Sequence, residues 1–399
     1  MKMYLGKSAA ILAVAFLTGC TQEERSKDKT AAEILGNPEC PAISYSGYRR
    51  NSKEIQPTLE ELKEDMNILS AMGIRIIRMY DVTSPHAPNV LKAIRELKEG
   101  DADFEMYVML GAWIDCQNAR TEAPNHEMDS DANAAEIERA VVLAKTYPDI
   151  VKIIAVGNEA MVHWQAGYYV RPRIILGWVN YLQERKKQGV LSNDLWITSS
   201  DNFASWGGGG AEERTAGLGA LIGGVDYISM PTVPLHDSYY NSAFWGVPEG
   251  EEKYSDAQKI EASMLRAMAY AKSQYQAVAD YVKSLGVEKP IHIGETGWAS
   301  VSNGHYGPNV SRAADEYKAG VYHQLMREWT YAENISCFYF EAFDESWKDK
   351  HNINGSENHF GLINLRGEAK YALWDLVDKG VFGDLTRGGQ TITKTYNGD

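Results

Sequence analysis

Eight short apolar runs, set apart by helical stretches, constrain this 399-residue chain more than any other feature. They read AISYSGY (42–48), IRIIRMYD (74–81), FEMYVMLGAW (104–113), VKIIAVGNE (151–159), LWITSSDN (195–202), VDYISMP (225–231), PIHIGETGW (290–298) and SCFYFEAFDE (336–345). Their length and lack of helical period mark them as buried β-strands. Amphipathic helical patterns lie between them at 58–73, 89–100, 131–147, 256–285 and 311–332, the first opening on a threonine cap and closing at glycine. Strands alternating with helices call for parallel pairing, because parallel strands need crossover connections. Eight is the number that closes a barrel. An open doubly wound sheet is the alternative, and it wants a glycine-rich phosphate turn after the first strand; ISYSGYRRNSKE has none. The expectation is a single (β/α)8 TIM barrel over residues 41–399.

In such barrels the chemistry sits at the C-terminal strand ends. Two of those ends carry a glutamate directly after an apolar run: Glu159 and Glu295. The run favours burial and an ionised carboxylate opposes it, so packing explains the pair poorly. Two carboxylates facing each other across a cleft are the equipment for cutting a glycosidic bond. One must hold its proton near neutral pH, through partial burial and a neighbouring negative charge. Asn158, beside Glu159, is placed to bind a sugar hydroxyl. Long loops follow strands six and eight, as functional loops do. The nine histidines are scattered, with no metal-ligand spacing, so no metal and no cofactor are expected. A net charge of −14 without a basic run argues against nucleic acid and suits a neutral polysaccharide.

VGNEA at 156–160, IGETGWAS at 293–300 and FYFEAFDESWK at 338–348, in that order, resemble glycoside hydrolase family 17 of clan A, the β-1,3-glucanases and related glucanosyltransferases. The resemblance runs from Ala42 to Leu376. It implies a (β/α)8 barrel and a retaining mechanism, with Glu159 as acid/base and Glu295 as nucleophile. It further implies supporting charges at Glu341 and Lys348 and a laminarin-like β-1,3-glucan as substrate. The stretch after strand six departs from the family pattern: His236 and Tyr239 are present but displaced. Flat aromatic side chains commonly line glycan clefts. Tyr80, Trp298, Phe343 and Trp347 are the leading candidates, with Trp113 and Trp245 behind them. Two other readings share these residues: a β-1,3-glucanosyltransferase, and a surface protein that binds glycan without cutting it.

The N-terminus reads as a processed segment. Lys2 and Lys7 precede an apolar stretch ending in Leu17-Thr18-Gly19-Cys20, which resembles the lipobox of bacterial lipoproteins. This implies a signal peptide over 1–19 and lipidation of Cys20. A polar tether is expected over 20–40, and a monomer anchored at the outer membrane or cell surface, with the periplasmic face also open. Three cysteines remain. Cys40 and Cys337 flank strands that adjoin in a closed barrel, so they form a disulfide or, equally well, all three stay free thiols.

Overall fold

The computed structural model describes residues 29–241, 244, 246–303 and 313–396. All eight predicted strands are present: β1 (Ala42–Ser44), β2 (Ile76–Arg78), β3 (Tyr107–Ala112), β4 (Val151–Asn158), β5 (Trp196–Ser200), β6 (Ile228–Pro231), β7 (Ile291–Thr296) and β8 (Cys337–Tyr339). They pair in parallel, each with its sequence neighbours, and β1 pairs β8 to close the ring. Ile43 lies at the closure, opposite Tyr339 on one side and Ile77 on the other.

Side chains of a strand alternate in direction, so each strand serves two cores. Ile76, Tyr107, Met109, Ile153, Ala155, Tyr227 and Phe338 fill the lower barrel. Ile77, Val108, Ile154, Ile197 and Tyr339 belong to the larger core under the helices. Helix α2 (Leu59–Ala71) opens on the expected threonine: Thr58 and Glu61 cap each other's backbone groups. Helices α3 (His86–Gly100) and α4 (Asp131–Thr146) match their predicted spans within a turn. Helix α5 (Pro172–Lys187) was not read from the sequence; proline starts it and Arg185, Lys186 and Lys187 occupy its last turn, where they complement the helix dipole. Later come α6 (Leu218–Gly224), the single turn α7 (Pro234–Asp237), α8 (Asp256–Ser284) and α9 (Glu316–Ala332). The predicted start of α9 at Ser311 lies outside the described residues.

One expectation needs correction, and one open alternative is decided. The stretch to residue 40 is not all tether. A capped turn of helix, α1 (Ala31–Ile34), forms against the floor of the barrel. Ala31 and Ile34 are fully buried in the lower-barrel core, Ala31 N donates to Asp194 O, and Gly36 N donates to Ser336 Oγ. Apolar side chains at 31, 34 and 35 cover what would be an open barrel end. The Cys40–Cys337 disulfide does not form; Cys40, Cys116 and Cys337 are buried free thiols. Cys40 joins the core inside the barrel and Cys337 the core outside it, so the two side chains leave the wall in opposite directions. Burial pushes the Cys337 thiol up to about 12, which leaves it inert.

Candidate active site

A cleft of about 580 Å³ opens at the C-terminal end of the barrel. Tyr80, Trp113, Asn158, Glu295, Phe340, Trp347 and Lys348 line it, with Lys53, Asp81 and Thr83 among its other lining residues. A crevice of about 680 Å³ lies near the strand-eight loop. Much of its polar lining is spent on internal bonds, such as Lys370 with Asp344 and Asn358 with Asp349, and no Phe, Tyr or Trp among the described residues lines it. The cleft over the strand ends is therefore the candidate site.

Glu295 lines the cleft, and Glu159 lies near enough to feel its charge, in unlike surroundings. Glu295 Oε2 accepts a hydrogen bond from Tyr80 Oη at 2.7 Å and faces Arg78 Nη1 at 3.2 Å. Two donors thus converge on one carboxylate oxygen and fix its position. Arg78, 1% exposed inside the barrel, also donates to Gly294 O and Asn158 Oδ1. One guanidinium thus ties β2 to the ends of β4 and β7. Its fixed fork suits several acceptors at once. Arg78 is absent from the residues singled out by sequence, yet its signal was there: an arginine within IRIIRMYD, where both faces of the strand are buried.

Glu159 has no such donors among its main influences. Burial, then the charge of Glu295, raise its carboxyl from 4.5 to about 7; Asp201 adds to the rise, and His236 and Arg78 oppose it. Glu159 is therefore the partner that keeps its proton. Its backbone has φ +47, and its N–H donates to Ser200 O at 2.7 Å, so the turn after β4 is pinned to β5. Asn158 Oδ1 is taken by Arg78, which turns the amide NH2 away from the arginine.

Strand eight supplies a second charged cluster. Lys348 Nζ is 2.9 Å from both oxygens of Glu341 and 3.3 Å from Glu345. Glu341 is 1% exposed, and burial drives its carboxyl well up despite the lysine. Lys348 itself is raised, its own burial outweighed by Glu341 and Glu345. The ammonium also sits 3.9 Å from the centre of the Phe340 ring. Glu341 is thus sealed beneath the cleft, and it reaches the cleft surface only through Lys348.

The aromatic expectations divide. Tyr80 and Trp347 line the cleft, as does Trp113. Trp298 and Phe343 are corrected. Trp298 is 1% exposed, donates from Nε1 to Ala313 O and packs on Tyr322. Phe343 is 2% exposed, edge-on to Tyr45 and beneath Arg387. Neither has a free ring face. Phe340, three residues earlier, takes the cleft position expected of Phe343, because it leaves β8 on the inner side. Trp245 lies outside the described residues. His236 stands close enough to both glutamates to feel their charge and pairs with Glu357, while Tyr239 is half-exposed beside Tyr240.

A family model described as the BtgE/BtgC glycoside hydrolase domain matches residues 42–361. A crystal structure of an endo-laminarinase from Formosa is 62% identical, with a TM-score of 0.91, covering 93% of this chain and 95% of that one. A glucan 1,3-beta-glucosidase of Arthroderma benhamiae is 26% identical, over 66% of this chain and 70% of its own length. A probable glucan endo-1,3-beta-glucosidase btgC of Aspergillus fumigatus is 25% identical over 87% of this chain, which spans 46% of that protein. A glycoside hydrolase family 17 β-1,3-glucanosyltransferase of Rhizomucor miehei, 19% identical with a TM-score of 0.55 over 82% of this chain and 94% of that one, shares the fold. Barrel, cleft and paired glutamates agree with these likenesses: the chain belongs to the family of BtgE/BtgC glycoside hydrolase domains.

Proposed function

We propose that this protein is a retaining β-1,3-glucan hydrolase of the family 17 type, cutting within laminarin-like chains. The observation that carries the mechanism is the asymmetry of the two carboxyl groups. Glu295, held by Tyr80 and Arg78, is the nucleophile. Glu159, whose carboxyl is raised to about 7, is the acid. In the first step the Glu295 carboxylate attacks the anomeric carbon, the bond to the glycosidic oxygen breaks, and that oxygen takes the Glu159 proton. In the second step Glu159 removes a proton from water, the oxygen attacks the anomeric carbon, and Glu295 leaves as a free carboxylate. The 62% identity to an endo-laminarinase supports both the substrate and internal cleavage. Trp347, Phe340 and Trp113 offer apolar surface to sugar rings, Asn158 and Lys348 offer hydrogen bonds, and Glu341 fixes Lys348.

We further propose that Cys20 carries the lipid of a lipoprotein and that the protein works as an anchored monomer at the outer membrane or cell surface. The Leu17-Thr18-Gly19-Cys20 motif supports this reading. Metabolic labelling with a palmitate analogue tests it: label in the native chain and none in Cys20→Ala is the expected result.

The enzymatic reading is tested by a time course on unbranched β-1,3-gluco-oligosaccharides of defined length, resolved by mass. Shorter products from the native protein, absent with Glu295→Gln, are expected. Products longer than the substrate would assign transglycosylation. No change with either protein would overturn cleavage of this linkage.

A further inference from the structure

Asp201 follows β5 and lies outside the two-carboxylate mechanism, yet it is fully buried. Its carboxylate is anchored at both oxygens. Oδ1 accepts from the backbone N–H of Met161 at 2.7 Å, and Oδ2 accepts from Ser199 Oγ at 2.6 Å. Met161 stands two residues beyond Glu159. The intervening turn is strained at its first residue, with Glu159 at φ +47, in the left-handed region that a glutamate seldom adopts. Such a turn persists only when its surroundings hold it. Two of its holders come from the end of β5: Ser200 O takes the N–H of Glu159, and Asp201 takes that of Met161.

A hydroxyl or amide oxygen could accept from Met161 equally well. A carboxylate adds charge, and its burial is costly, since burial raises Asp201 from 3.8 to about 7 against the Ser199 and Met161 bonds. The charge that Asp201 carries once ionised lies near Glu159, which is also faced by Glu295 from β7, His236 from α7, Arg78 from β2 and, after β4, Tyr168. We infer that Asp201 is a positioning residue for the acid/base: it clamps the turn that aims Glu159 and supplies a buried charge that favours the protonated form of Glu159. The inference rests on the two-glutamate reading above.

The test compares Asp201→Asn with the native chain on two substrates. One is a laminari-oligosaccharide, whose leaving oxygen needs a proton. The other is dinitrophenyl β-laminaribioside, whose leaving group departs without one. Asparagine keeps the acceptor for Met161 and removes the charge. The alkaline limb of kcat/KM on the oligosaccharide is expected to move to lower pH by roughly half a unit or more. On the aryl glycoside kcat/KM is expected to stay within about twofold. Ser199→Ala, which strips one donor from Asp201 and so favours its neutral form, should move the same limb in the same direction; it serves if Asp201→Asn does not fold. An unmoved alkaline limb in both variants overturns the inference. An equal loss on both substrates does so too, since that is the mark of general structural damage. Glu159→Gln separates the failure of the parent reading: were it fully active on both substrates, Glu159 would not be the acid, whatever Asp201 does.

Discussion

Single residues decide the chemistry, and the two glutamates are distinguished by what touches them. Tyr80 and Arg78 donate to Glu295; among the described residues nothing comparable donates to Glu159, which is raised to about 7. The acid must be protonated to act, so activity is expected to fall as pH rises through about 7, with the limb displaced in Asp201→Asn as argued above. Removing the Tyr80 hydroxyl in Tyr80→Phe takes away a bond to a charged acceptor, a loss of about 1.5–3 kcal/mol that should lower kcat by roughly 10–100-fold with little change in KM. Steady-state kinetics on laminari-oligosaccharides check this. The same raised carboxyl has a stability cost. The folded chain binds the Glu159 proton more tightly than the unfolded chain does. Stability from this group is therefore present below the unfolded value of 4.5 and is lost as pH rises towards 7. Glu159→Gln should accordingly be more stable than the native chain at pH 8, by about 1–3 kcal/mol, in denaturant titrations. A catalytic acid that destabilises its own fold is the expected signature of a functional group rather than a packing one.

Among the elements, the strands were legible and the loops that dress them less so. Each barrel strand is covered on both faces, so its sequence is a nearly unbroken apolar run, a signal that survives without any alignment. The charged exceptions within those runs are the informative positions: Arg78 inside β2, and Glu159 and Glu295 at strand ends. What could not be read is which way a side chain turns once regular pairing ends. Phe340 and Phe343 are equivalent as letters in FYFEAFDE. Their difference comes from the chain beyond β8, where Phe343 bridges to Ile363 and lies under Arg387. That arginine belongs to a clasp between the C-terminal segment and α2. Asp65 on α2 is fully buried and accepts from Tyr45, Arg49 and Arg387. Asp65→Ala would leave two guanidinium groups without their shared buried carboxylate, a loss of about 3–5 kcal/mol. A drop of this size in the unfolding free energy is expected, with the C-terminal hairpin released first in hydrogen exchange.

At the scale of the whole molecule, the barrel is closed at one end by its own N-terminal segment and open at the other. Residues 20–40 read as tether because their composition is polar. The apolar positions that matter, Ala31, Ile34 and Leu35, are too few to show a period. They count only because the barrel floor awaits them. Truncation separates the two roles. Removing residues 1–28 should leave the melting temperature unchanged, whereas removing 1–37 exposes the floor and should lower it by several degrees or leave the protein insoluble. The plug also fixes a direction. The chain meets the barrel at Lys29, which pairs with Glu105 beside β3's entry, at the end away from the glutamates. With Cys20 acylated as proposed, eight residues lie between the lipidated cysteine and Lys29 at the barrel, a leash of roughly 30 Å at full stretch. Moored by its base, the enzyme would hold its mouth towards the surroundings. Polymer would arrive and fragments depart on the side facing away from the bilayer, and no glucan chain would have to thread between protein and lipid.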